Sequence, residues 1–132
     1  MERALKSLAL IRAKHLAESV TTPMLLTDRE GTLIFFNEAA EVMLGVPFAD
    51  VGPLGPQGWQ KRFDVRGRDG SAFPLEAMPG WLELQTERPG MGHVVLRCAD
   101  GSDAVLAVCA FPLFTAQRQF DGALVLLWKD DS

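Results

Sequence analysis

LTDREGTLIFFNEAAEVMLG, residues 26–45, is the stretch on which the fold turns. A strand-like run ends at Asp28, whose side chain can bond the backbone ahead of it, and Gly31 can take the positive φ such a turn needs. TLIFF reads as a second short strand, pairing with PMLLTD before it. Asn37 then stands as a helix N-cap, with Glu38 and Glu41 near the positive end of the helix dipole. EAAEVML is the helix, Gly45 its left-handed terminator, and Pro47 prevents continuation. The stretch holds no cysteine, no histidine and no nucleophile beside a base.

Outward from that core, residues 2–20 read as a helix with Leu5, Leu8, Ile11 and Leu16 on a broad apolar stripe, ended by Thr21, Thr22 and Pro23. Residues 49–74 change character. ADVGPLGPQGW is too rich in glycine and proline for a long element, and KRFDVRGRDGSAFP suggests a small hairpin around RDGS. A helix is expected near Pro79–Thr86, closed by Pro89 and Gly90. The last third is β: HVVLRC, AVLAVCAFPLF and ALVLLWKD, separated by ADGSD and TAQRQFDG. Helices and strands are segregated rather than alternating, which means α+β with an antiparallel sheet. Its strands are expected within residues 24–36, 91–113 and 122–130.

The two final strands are apolar on both faces. Leu106, Val108 and Ala110 oppose Val105, Ala107, Cys109 and Phe111, and Leu124, Leu126 and Trp128 oppose Ala123, Val125 and Leu127. A small antiparallel sheet with one wet face would alternate apolar and polar residues, so both faces here want cover.

With 132 residues, 48% hydrophobic and 23% charged, the chain is the size of one globular domain with a real core. A net charge of −4 gives no footprint for nucleic acid or anionic lipid. The apolar runs are strand-sized, so no membrane span is expected. The charged N-terminus does not read as a signal peptide, which makes a cytoplasmic setting the default. Cys98 and Cys109 lie in apolar runs, where buried reduced thiols are the ordinary reading rather than a disulfide or zinc site. His15 and His93 have no acidic or cysteine neighbours at ligand spacing, so no metal is expected.

Taken in order, these motifs resemble a PAS domain over residues 18–132. DREGTLI matches the pattern D-x-x-G-x-[ILV], and NEAAEVMLG matches N-x-A-A-E-x-[ML]-[LM]-G. DGSAFPLEAMPGWLELQTERPG is similar to a linker and helix common in bacterial PAS domains, with Glu83 and Glu87 where alanine and glycine are usual. ADGS, AFPL and DGALVLLWKDDS match the hairpin, the long strand's end and the closing strand. The resemblance implies a five-stranded sheet of order 2-1-5-4-3, short helices around an internal cavity, and a role in bacterial signal transduction. It makes residues 21–132 the PAS domain and residues 1–20 a flanking helix. Residues 26–45 would then be scaffold for a ligand or signal, and any reacting group would come from a cofactor. Fold alone does not fix that ligand.

Residues 48–63 lack the cysteine-bearing helix of flavin-adduct photosensors, so that cofactor is set aside. Haem needs an axial ligand such as histidine, and none stands in the helix near Pro79–Thr86. His93 is placed outside the cavity by its phase with Arg97, so haem is disfavoured and the cofactor left unknown. By family register Leu25, Thr27, Val94, Leu96, Leu106, Val108 and Trp128 are expected to face inward from the strands, and Met43, Met78 and Leu82 from helices. They either fill a core or line a site for an apolar small molecule. Thr27 is the polar anchor of the second reading. The N-terminal helix either caps its own sheet or pairs with a second copy, with Arg12, Lys14 and His15 around the seam, and the apolar outer face favours a homodimer. A signalling output domain or partner protein completes the expected assembly. A small α+β enzyme would need a carboxylate or histidine aimed into the pocket, and the acidic residues fall at turns, caps and linkers. No catalytic activity is expected.

Overall fold

The computed structural model describes residues 8–71, 88–98 and 100–129. The turn at residues 28–32 forms as its chemistry dictates. Asp28 Oδ1 accepts from the backbone N–H of Glu30 at 2.9 Å and of Thr32 at 3.0 Å, and Gly31 sits at φ 83°. It joins strand β1, Met24–Asp28, to β2, Leu33–Phe36. Helix α2, Glu38–Leu44, follows at once and closes on Gly45 at φ 79°. Two short helices, α3 at Phe48–Val51 and α4 at Pro56–Arg62, occupy the Gly/Pro-rich segment. Pro56 can open α4 because the first helical N–H needs no partner.

Strands β3 (Gly90–Arg97), β4 (Asp103–Phe114) and β5 (Phe120–Lys129) complete a five-stranded antiparallel sheet in the order β2-β1-β5-β4-β3. The first and last strands are neighbours, as the PAS resemblance implies. Their close approach depends on Gly122, at φ 152°, where a Cβ would stand 2.2 Å from the carbonyl oxygen of Thr27. The expected hairpin around residue 69 is a tight turn closed by Gly67 N–H to Ser71 O at 2.8 Å. The helix expected near Pro79–Thr86 lies outside the described residues.

Helix α1, Leu8–Glu18, covers part of the outer sheet face, but not with the stripe the sequence suggested. It buries Leu10, Ala13 and Ala17 against Met24, Leu26, Ile34 and Leu124. Leu8 and Leu16 are left 58% and 50% exposed. Small residues at the contact let the helix axis lie close to the sheet, so Ala13 and Ala17 outrank the larger leucines there.

Asn37 ties this outer helix to the inner ones. Its side chain is buried, and its Oδ1 accepts both from Ala40 N–H, as the α2 cap, and from Met24 N–H, each at 3.0 Å. Its Nδ2 donates to the carbonyls of Ala17 and Thr22, each at 2.9 Å. Sequence reading found the cap but not the bonds back to the end of α1.

Candidate functional site

The inner sheet face carries the site. Phe36 is fully buried and meets Phe48 and Phe63 edge-on, with ring centroids 5.1 and 6.2 Å apart. That aromatic cluster holds α3 and α4 off the sheet, and a cavity of about 110 Å³ remains beneath them. From the strands come Leu25 and Thr27 of β1, Leu33 of β2, Val94 and Leu96 of β3, Val108 and Ala110 of β4, and Val125 and Leu127 of β5. Leu44 of α2, Trp59 of α4 and Phe63 just beyond it, and Val65 form the opposite wall, with Gly31 at the turn. The Trp59 indole N–H donates to the Gly31 carbonyl at 3.0 Å, which fixes the ring and satisfies its one donor.

Of the residues expected at the cavity, Leu25, Thr27, Val94, Leu96 and Val108 line it. Leu106 is fully buried in the cluster beside it, and Met43 packs against that cluster rather than on the cavity surface. Met78 and Leu82 lie outside the described residues. Trp128 is a correction. It pairs with Ala107, whereas Val108 pairs with the lining residue Leu127, so its indole belongs to the outer face and is 41% exposed. Side chains alternate along a strand, and a phase error of one residue moves the whole set to the other face. Val125 and Leu127 are the β5 residues that face inward. His93 pairs with Ala107 on that same outer phase and is not among the lining residues. Trp59, Phe63 and Val65 escaped the sequence reading because they follow no strand alternation. Pro56 three residues before Trp59 was the available signal.

A ring of charges holds Val65 in place. Arg66 meets Asp103 at 2.7 Å and Asp64 at 3.4 Å, and Arg97 meets the same two carboxylates at 3.0 and 3.6 Å. Together with the paired backbone bonds between Arg66 and Val95, this fastens residues 64–66 to the β3 edge. Hydrogen bonds from Arg66 and then Arg97 hold the Asp103 carboxyl below its usual range.

Asp121 departs from the expectation that acidic residues stay at turns, caps and linkers. It lies buried in β5, with Oδ1 3.3 Å from Arg29 Nη2 and Oδ2 without a hydrogen-bond partner among the described residues. It is not among the cavity-lining residues. Among the described residues no cluster of His, Cys, Asp and Glu could hold a metal ion. No helix among them is long and apolar enough to cross a membrane.

Comparison with known proteins supports the same fold. A PAS domain family model matches residues 10–77, about half of the chain. No curated protein matches the sequence. Among solved structures, the PAS domain of a protein from Colwellia psychrerythraea is 16% identical with a TM-score of 0.65, over 92% of this chain and 96% of that one. The phage VqmA–DPO complex is 16% identical with a TM-score of 0.63, over 92% of this chain and 53% of that one. The light-state dimer of the fungal blue-light photoreceptor Vivid is 10% identical with a TM-score of 0.64, over 96% of each chain. At such identities the structural likeness speaks for fold alone. Joined to the family match, it leads to one conclusion: this chain belongs to the PAS domain family of signalling sensor and interaction modules.

Proposed function

We propose that this PAS domain is a non-catalytic sensor in bacterial signal transduction that holds an apolar small molecule on its inner sheet face and dimerises through its outer one. One observation supports the sensing half above the rest. The inner face keeps an apolar space of about 110 Å³ instead of closing on itself. Interiors are normally packed to crystal-like density, so retained space of this kind in a cleft of convergent apolar side chains is the default mark of a ligand site. The VqmA structure, a complex with DPO, offers a fold-level parallel. No histidine or cysteine is among the described lining residues, so haem would need an axial ligand from elsewhere.

The dimerising half rests on Leu8, Leu16, Met91, Phe111 and Trp128, which are large, apolar and exposed. Of these, Met91, Phe111 and Trp128 share the outer phase of three neighbouring strands, and exposed apolar surface of that kind is a usual signature of a partner. The Vivid dimer is again the parallel. In this reading residues 1–20 belong to the interface, residues 21–132 form the sensing domain, and a cytoplasmic signalling output domain or partner protein receives the change. A purely structural dimerisation module is the second reading, favoured by the same exposed surface.

Native mass spectrometry of gently purified protein, with a thermal-shift screen against neutral metabolite and lipid fractions, separates the two. A bound adduct, or a fraction that raises the melting temperature, supports the sensor. An empty chain that no fraction stabilises leaves only the interaction module.

A further inference from the structure

Resting on the sensor reading, we infer that the cavity takes a small uncharged ligand, about the size of one six-membered ring, whose single polar group meets Thr27. Size comes first. The cavity measures about 110 Å³, and an engineered apolar protein cavity of about 150 Å³ takes benzene. A ring or a short branched chain therefore fills that volume.

Charge is the second constraint. None of the described lining residues is ionisable. A carboxylate or ammonium placed there would lose hydration with no counter-charge from the described lining residues, which favours a neutral ligand.

Polarity is the third. Among the described lining residues only Thr27 and Trp59 have polar side-chain atoms, and the Trp59 donor is already spent on Gly31. The Thr27 hydroxyl has no hydrogen-bond partner among the described residues. A hydroxyl both donates and accepts, so it can serve one hydroxyl, carbonyl or ring nitrogen of the ligand. Its position is fixed by β1 in the middle of the sheet, opposite Ala123 of β5.

The test uses toluene, phenol and benzoate, three ring compounds that differ in polarity and charge, titrated by NMR into the full chain and into Thr27→Val, which keeps the side-chain shape. Toluene and phenol are expected to bind, and benzoate at least about tenfold more weakly. Thr27→Val should weaken phenol by roughly two- to tenfold, the worth of one neutral hydrogen bond, and leave toluene unchanged or tighter. Ala110→Leu, which fills the space, should abolish toluene binding. Should that variant unfold, contacts from toluene to the Val94 and Leu127 methyls in the wild type locate the probe instead. Benzoate binding as tightly as phenol, a Thr27→Val effect equal for phenol and toluene, or toluene located away from those methyls would overturn the inference. So would failure of both neutral probes. In that event a larger adduct seen by native mass spectrometry leaves the sensor reading standing and only the ligand class wrong, whereas an empty protein removes both.

Discussion

The two faces of the sheet are made of equally apolar strands, yet they are finished differently. On the inner face Phe36, Phe48 and Phe63 interlock, and three short helices close over a space they do not fill. On the outer face one helix lies down on alanines and covers the β1, β2 and β5 side, leaving Phe111 and Trp128 about two-fifths exposed and Met91 more so. The difference follows from side-chain size. Bulky rings hold their helices away from the sheet, whereas Ala13 and Ala17 let α1 settle directly upon it. On the proposed reading, one face receives a small guest and the other a large partner.

The sharpest way to break this arrangement is to cut the joint between its halves. Asn37→Ala removes the cap of α2 and the bonds to Met24, Ala17 and Thr22, leaving buried backbone groups unpaired. Chemical denaturation should show a loss of about 3–5 kcal/mol. A loss below about 1 kcal/mol would mean that the two faces are held together by packing alone.

Adjacent residues of β5 sharpen the comparison. Leu127 is 3% exposed beside the cavity and Trp128 is 41% exposed on the other side. Leu127→Ala should cost about 2–4 kcal/mol of monomer stability. Trp128→Ala, although it removes more atoms, should cost about 1–2 kcal/mol, below the 3–5 expected of a buried aromatic. On the proposed dimer reading, sedimentation should instead show Trp128→Ala weakening self-association, with Leu127→Ala leaving the association of folded chains unchanged. The reverse ranking in stability would restore Trp128 to the core.

That pair also shows where sequence reading stopped. Local chemistry was legible: Asp28 and Gly31 make the turn, and Asn37 and Gly45 bound the helix, while the sheet order came only with the PAS resemblance that those motifs carry. The inward phase of β5 was not, because Ala123 through Trp128 are all apolar and period-two alternation gives no preference between faces. The α1 stripe failed for a related reason. Leu8 and Leu16 are more hydrophobic than Ala13 and Ala17, but a close helix–sheet contact selects small side chains. Trp59 and Phe63 lie in a segment whose glycines and prolines hide a helix of only seven residues.

A smaller effect concerns acid. Asp103 is held low by hydrogen bonds from Arg66 and Arg97, so its folded pKa lies below its unfolded one. Its stabilising contribution is present above the unfolded value, near pH 4, and is lost as pH falls through the folded value. Melting temperatures of Asp103→Asn should therefore fall less steeply than wild type below about pH 4, and slightly at most above pH 6. Because the ring of charges is on the surface, high salt should shrink the difference. Parallel acid slopes for the two proteins would show that the ring does not tie residues 64–66 to the sheet in solution.

The most direct test of a sheet with one face for a guest and the other for a partner is a single methyl NMR spectrum followed under two perturbations. Adding toluene should shift the methyls of Leu25, Val94, Leu96, Val108, Val125 and Leu127 while leaving Leu8 and Leu16 in place. Diluting the protein through the dissociation range of the proposed dimer should move Leu8 and Leu16 and leave the inner set in place. Toluene shifts confined to the outer methyls, or an inner set that responds to neither perturbation, would contradict the assignment of the two faces.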